Sequence, residues 1–435
     1  MKRTDPHPPA FFGGRRTAWR IVAPLLLVAI FFGIQYSPYQ PITEDEWNLE
    51  IYDTLQTIKT GSTHRQVLIL FLGLFGMLGV FGNRRKWPRA EGWLGWAILL
   101  FLFLACLSIL WADDWGLTGT RVAAFAMVCL GALGFTRFYD PEDLVSFAIL
   151  STGTYLLVGL TAEISTGGFH PLQKDYRFSG LMHPNSQAMN CAVLFLASIV
   201  SLNASNRNRL RILLLVVAAA AFLLLFLTKS RTTLAGACCA LGAYSMLGSS
   251  SYRKIALALG CIWITSFVLL FLPEGTIVSI FTKSISFGRD LSDLQTLTGR
   301  TDIWKVSLSF IAIHPFLGYG FGSFWNENRI RKFEEVVGWG ASHGHSTYID
   351  IVLSLGVLGL ALFVVMMAGG IHRSVILSDL TRRPCYRFLY TLLVYSVLLG
   401  LMETVFPNPG LLTFLILSGL TFLAFQPPSS DPGKE

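Results

Sequence analysis

Two histidines, His343 and His345, flank one glycine in the segment ASHGHSTYID, and three arginines, Arg177, Arg231 and Arg300, stand in polar stretches between apolar runs. These residue types suit two chemistries. A guanidinium is a planar fork of N–H donors that matches a phosphate. A neutral imidazole fixed beside a hydroxyl can take its proton. Lys229-Ser-Arg231 interrupts sequence that is otherwise apolar from Leu210 to Leu247. Arg231 therefore reads either as part of a tight hairpin whose charges reach lipid headgroups, or as a cationic anchor for a lipid-linked phosphate, because ionisable residues at membrane depth are costly. Arg300 is expected to open a helix in Thr298-Gly299-Arg300-Thr301-Asp302, where the helix N-terminus itself attracts anions; the alternative is a solvated charge. Arg177, in DYRFSGLMHPN, has the same two readings.

His345 precedes Ser346-Thr347-Tyr348 at an expected helix start, which would hold its ring firmly, whereas His343 lies among Gly338, Gly340 and Gly344. A metal fragment is the other use of two such histidines. No cysteine and no carboxylate at ligand spacing completes it, so no metal and no other cofactor is expected. His314, before Pro315, reads as structural.

The elements that must position these groups are membrane spans. The chain has 435 residues, 53% hydrophobic and 14% charged. Its apolar residues come in runs of about 18 or more, the length of a transmembrane helix. Spans are expected at about 19–36, 66–83, 93–111, 120–136, 143–162, 187–204, 210–228, 232–248, 255–272, 348–369, 387–405 and 410–426. The fold class is then all-α: a polytopic protein of about 12 transmembrane helices forming one membrane domain over 1–435, with a large external helical loop, 273–348, between the ninth and tenth. The apolar run after Arg15 and Arg16 has no A-x-A-like exit and reads as a retained first span. The seven cysteines form no CxxC pair and read as packing residues.

The basic residues choose an orientation. The N-terminal cluster, the 84–89 cluster, Arg137, Arg207, Arg209, Arg211, Arg253, Lys254, Arg373, Arg382, Arg383, Arg387 and Lys434 all fall on one side, twenty of the 34 lysines and arginines. The positive-inside rule makes that side cytoplasmic, with both termini, and the +8 net charge is topological rather than a nucleic-acid signal. Outward lie 37–65, ADDWGLTG, 163–186, the LTKSRTT hairpin, the large loop and ETVFPNPG. Within the loop, a helix is expected over Asp302–Ile313, then a break at HPFLGYGFG, then a second helix over Phe324–Val337 capped by Ser323. That helix would lie on the membrane with Arg329, Arg331 and Lys332 towards anionic groups.

SRTTLAG after a span, GRTDIW, HPFLGYGFGSFW and HGHSTYIDIVLSLGVLGL, preceded by an external RFSG…HPN loop, together resemble the O-antigen ligase and polymerase superfamily over about residues 175–365. The resemblance implies a GT-C-like membrane fold and a metal-independent, inverting glycosyltransferase of the bacterial inner membrane. Its donor would be an undecaprenyl-diphosphate-linked glycan, and its acceptor another glycan or a lipid A core, at the periplasmic face. It implies that Arg231 and Arg300 bind the donor diphosphate and that His345 is the catalytic base. His345 and Tyr348 match a His-Asn-x-Tyr pattern in which Ser346 here replaces the Asn. Substrate-binding roles are implied for Arg177, His183, Asn185, Lys229, His343 and Tyr348. Ligase and polymerase readings share the donor and stay open. A lipid-linked glycan flippase is the alternative of another class; it would favour charges within spans, where this chain has almost none.

Overall fold

A backbone in hydrocarbon must satisfy its own N–H and C=O groups, so long apolar runs fold as helices. The structure is a computed structural model that describes residues 19–36, 62–82, 92–173, 176–247, 295–337 and 341–425. Among the described residues the order is α1 (Trp19–Gln35), α2 (Thr63–Gly82), α3 (Gly92–Leu107) with a 3-10 turn (Ser108–Trp111), α4 (Trp115–Phe138), α5 (Pro141–Ser165), α6 (Pro184–Ala204), α7 (Asn208–Leu227), α8 (Arg231–Met246), α9 (Gln295–Ile313), α10 (Glu327–Val337), α11 (Thr347–Thr381), α12 (Pro384–Leu399) and α13 (Leu411–Phe425), with no strand. Seven of these helices are long and apolar enough to cross a membrane, and three shorter apolar ones accompany them. The chain is an all-α, multi-pass membrane protein. Each expected span coincides with a helix except 255–272, which lies outside the described residues. So do the N-terminal and 84–89 basic clusters, Arg253 and Lys254, 37–61, 273–294, Gly338, Gly340 and the tail after Phe425.

Helices in lipid approach closely where small residues meet. On α2 and α4, a Cβ on Gly76 would lie 2.3 Å from the Leu130 backbone, and one on Gly79 would lie 2.6 Å from Gly134 Cα. Helix α13 is apolar on all sides and buried from Leu411 to Ala424, so it forms the centre of the bundle. Phe414 packs there against Phe31, Phe135 and Phe147.

The contacts between helix ends sort the connectors to two ends of the bundle. At one end Arg383 grips Glu142 with two N–H···O bonds of 2.6 and 2.5 Å, tying the start of α12 to the start of α5. Asn203 reaches the Tyr244 hydroxyl at 3.0 Å and ties the ends of α6 and α8. At the other end stand the end of α5, the starts of α6, α8 and α11, and the end of α12.

The large loop docks on that second end with a core of its own: Ile303, Tyr319, Phe324, Trp325, Ile330, Phe333, Ala341 and Leu353. Its HPFLGYGFG segment enters a break in α11. Gly356 has φ 66° and ψ −167°, so α11 cannot continue its own bonding there. Loop backbone takes over: Tyr319 N donates to Leu353 O at 2.9 Å, and Val357 N donates to Pro315 O at 2.8 Å. The contact is so close that a Cβ on Gly356 would lie 2.1 Å from Phe316 O. On its other flank the loop meets the 3-10 turn Ser108–Trp111, just before ADDWGLTG, where Trp111 Nε1 donates to Leu317 O at 3.0 Å and Phe321 N to Ser108 Oγ at 3.0 Å.

Three expectations for the loop are corrected. Its first helix begins at Gln295, so Arg300 lies inside the helix and does not open it. Its second begins at Glu327; Asn326 Oδ1 accepts from Arg329 N at 3.1 Å and serves as the cap, while Ser323 Oγ accepts from Asp114 N. Arg329 does not point to anionic groups outside: it pairs with Asp113 and lies 4.1 Å from the Tyr319 ring centroid and 4.7 Å from that of Phe324. Those aromatic faces stabilise the cation. Arg331 pairs with Glu327 one turn earlier at 2.9 Å, and Lys332 is exposed.

Candidate active site

Three segments at this second end converge where the loop returns to the bundle. The first is the 176–185 turn. Buried Glu163, at the end of α5, holds it: Oε1 accepts from Ser179 N at 2.9 Å and Gly180 N at 2.7 Å, and Oε2 accepts from the Tyr176 hydroxyl. Phe178 N donates to Leu227 O at 3.0 Å, which lays the turn along the end of α7. Arg177 then spans two elements. Its Nε donates to Thr228 O at 3.1 Å and its Nη2 to Asn185 Oδ1 at 3.2 Å. His183 caps α6, its Nδ1 accepting from the backbone N–H of Asn185 at 3.2 Å.

The second segment carries the two histidines. Asp350, in the first turn of α11, accepts from Gly344 N and Trp325 Nε1 at 2.8 Å each, and from Thr404 Oγ1 at 2.5 Å. Trp304 Nε1 donates to Gly344 O at 2.9 Å. Both peptide groups of Gly344 are thus fixed, and His345 adopts a left-handed φ of 47°. Its ring stands 4.0 Å from the ring of His343. Tyr348 donates its hydroxyl to Val397 O at 2.8 Å, which ties α11 to α12.

The third segment follows α12. Thr347 Oγ1 donates to Glu403 O at 3.0 Å and accepts from Val405 N at 2.9 Å, which places the 400–405 turn against the start of α11. Glu403 is buried, and its carboxylate joins the other segments. Oε1 accepts from Arg300 Nη2 at 2.8 Å and from Asn185 Nδ2 at 3.3 Å, and Thr232 also bonds to it. Arg231 opens α8 beside Thr232, after Lys229 at φ 53°.

Electrostatics follow from this crowding. Burial, then His343, Arg300 and His183, pushes the pKa of His345 down to about 2. Burial and Arg300 push His343 down to about 4, and His183 moves the same way through desolvation, Arg177 and His343. All three are neutral at pH 7 and have a lone pair to accept a proton. Burial raises the carboxyl of Glu403 while Arg300 lowers it, with a net rise. Among the described residues no group of three or more His, Cys, Asp or Glu side chains is arranged to hold a metal ion.

Arg177, His183, Asn185, Arg300, His343 and His345 are brought together, and the Lys229–Arg231 hairpin adjoins them through Thr228 and Thr232. Sequence reasoning missed Glu403 and Asp350. Each is a carboxylate at the edge of an apolar run, the signal by which it could have been found.

Residues 214–364 match a family model described as O-Antigen ligase. The chain is also similar to the "Exopolysaccharide production protein ExoQ" of Rhizobium meliloti (strain 1021), with 25% identity over 319 residues, 69% of this chain and 70% of that protein.

Proposed function

The chain belongs to the O-antigen ligase and polymerase superfamily, and from that premise we propose that it moves a glycan from an undecaprenyl diphosphate donor to an acceptor hydroxyl at the periplasmic face of the bacterial inner membrane. On this reading both termini are cytoplasmic and the 273–348 loop is periplasmic. The observation that carries the reading is the meeting of Arg177, Arg300, Asn185 and two adjoining imidazoles near one buried carboxylate, where the loop docks on the bundle.

In the reaction, Arg231 and Arg300 hold the donor diphosphate and face the charge that builds on its leaving oxygen. The acceptor oxygen forms a bond to the anomeric carbon from the opposite face, and the bond from that carbon to the phosphate oxygen breaks. The electron pair leaves with undecaprenyl diphosphate, the hydroxyl proton passes to His345, and the anomeric configuration inverts. His345 is a weak base among the protein's own groups, and the negative charges of a donor diphosphate beside it strengthen it. The arginines do a metal's electrostatic work, so transfer needs no divalent ion.

The acceptor has two readings. A lipid A core or similar acceptor makes the protein a ligase. A second lipid-linked repeat makes it a polymerase, and the exopolysaccharide role in the relative's name favours that reading.

The test is transfer by purified protein in nanodiscs, with a fluorescent undecaprenyl-diphosphate-linked glycan and each acceptor in turn. Arg231→Ala and Arg300→Ala should each lose transfer at normal protein levels, and Arg300→Lys should fall sharply too, because lysine keeps the charge without the fork. Transfer should persist in EDTA. Near-normal transfer by both alanine variants, or loss in EDTA restored by one divalent ion, would overturn the proposal.

A further inference from the structure

The Arg300–Glu403 pair is lopsided. The Glu403 side chain keeps 5% of its surface exposed, whereas that of Arg300 keeps 19%. The carboxylate is the more deeply buried partner, and the guanidinium, the more exposed one, stands near enough to His343 and His345 to act on both. The groups around Glu403 are donors: Arg300 Nη2 at 2.8 Å, Asn185 Nδ2 at 3.3 Å, and the Thr232 hydroxyl. A ring of donors is what an ionised carboxylate requires, since it accepts only. Asn185 is itself oriented by Arg177, which donates to its Oδ1 at 3.2 Å. One negative charge therefore stands at the back of the groups that the proposed donor site uses.

We propose that Glu403 is a built-in counter-charge that aims Arg300 and sets how tightly the site holds a diphosphate. The inference rests on the reading of Arg300 as a diphosphate ligand, and makes Glu403 a positioning residue rather than a catalytic one. Its physical logic lies in turnover. The leaving group, undecaprenyl diphosphate, carries the same diphosphate as the donor with one ester link fewer, so uncompensated arginines would hold product at least as firmly as substrate. A carboxylate behind Arg300 weakens both, lets product go, and keeps the guanidinium folded inward in the empty protein. Interactions made equally with substrate and product do not speed the chemical step, so the counter-charge costs little in rate.

The proposal predicts opposite shifts from two conservative changes. Glu403→Gln keeps the shape and an acceptor oxygen for Arg300 but removes the charge. Thr232→Val removes one donor that shares the carboxylate, so more of its charge falls on Arg300. Binding of undecaprenyl diphosphate to the purified full chain in nanodiscs, read by ligand-induced thermal stabilisation and by product inhibition of transfer, reports both. Glu403→Gln should bind on the order of tenfold tighter, the scale of one unit charge removed a few ångströms from a partly screened site. Its kcat should fall as release slows, while KM for the donor falls with it. Thr232→Val should bind more weakly. A Glu403 that only packs predicts equal or weaker binding in Glu403→Gln, and that result would overturn the inference. If Glu403→Gln yields no folded protein, the sign of the Thr232→Val shift decides alone: equal or tighter binding overturns it. A wild type that binds no undecaprenyl diphosphate, or an Arg300→Gln that binds as wild type does, sinks the donor-site reading as well, so the two failures are distinguishable.

Discussion

Asp350 fixes the histidine turn, and removing its carboxylate should loosen the site. In Asp350→Ala, the indole N–H of Trp325 and the amide N–H of Gly344, both now bonded at 2.8 Å, lose their acceptor. A buried donor left without a partner costs about 1–3 kcal/mol, so the two together cost about 2–6 kcal/mol. The loss of a buried charge offsets part of this. The Thr404 hydroxyl, which donates at 2.5 Å, can turn elsewhere. Asp350→Asn differs instructively: Oδ1 keeps both N–H donors, Nδ2 faces Thr404, and the hydroxyl switches from donor to acceptor. Its cost should stay near about 1 kcal/mol, the net worth of one ordinary hydrogen bond. The assay pairs thermal unfolding in detergent, followed by tryptophan fluorescence, with the transfer rate. Asp350→Ala should melt several degrees lower and lose most transfer, because the His345 backbone is no longer pinned, while Asp350→Asn should keep most of both. An Asp350→Ala protein as stable and active as wild type would refute the reasoning, and so would an Asp350→Asn as damaged as Asp350→Ala.

The site histidines, pushed down to about 4 at His343 and about 2 at His345, are neutral above pH 5, so kcat/KM should show no acid limb near the ordinary histidine value of 6.5. Because their folded values lie below the unfolded one, their contribution to stability is full above pH 6.5 and is lost as pH falls from there toward 4, which thermal melts across that window will show. His345→Ala should cost about 10²–10⁴-fold in transfer while donor accumulates, and His343→Ala less; the reverse order would move the base to His343. Gly356→Ala puts a side chain into a positive-φ extended conformation that costs about 1–3 kcal/mol before the clash with Phe316 O is counted. It should sharply lower folded yield, whereas Gly242→Ala, with open space around its Cβ, should be neutral or better in the same yield assay.

The spans were legible because hydrophobic length alone decides them: each expected run from 19–36 to 410–426 within the described residues became a helix, with most ends shifted by a few residues, although α11 runs on to Thr381, well past the expected end at 369. The glycines of HPFLGYGFG were legible as a break, but not as half of a joint. Nothing local says that Gly318, with φ 63°, must fit against Leu353 O and the break at Gly356 some 38 residues on. The start of α9 was misjudged for a related reason. Gly299 reads as a boundary by propensity, yet Ile303, packed with Phe324 and Phe333 in the loop's core, keeps the helix on that face, and a single glycine costs only about 1 kcal/mol in a helix. Arg329 misled in the same way: an amphipathic helix with three basic residues suits a membrane surface, but the ring faces of Tyr319 and Phe324 and the carboxylate of Asp113, 216 residues earlier in the chain, claim the cation first.

The arginines and histidines of the site could be singled out one by one, because each is a polar residue among apolar ones; the groups that order them carry only the weaker signal of a carboxylate at the edge of an apolar run. Glu403 stands in ETVFPNPG, a turn that reads as an ordinary headgroup-level connector. Its meaning lies in contacts across 103 residues to Arg300 and 218 to Asn185. Asp350 looks like a helix-start carboxylate, a place where acidic residues are common for reasons of the helix dipole alone. In the folded chain both act across segments. Glu403 joins the 176–185 turn to the large loop, and Asp350 joins the histidine turn to Trp325 and Thr404. A buried carboxylate is tolerated only where several donors meet it, so each reports that separate segments converge at that point. In a chain with almost no charge inside its spans, these two acids at the edges of apolar runs are therefore better guides to where the connecting segments meet than the more numerous basic residues, which also serve topology.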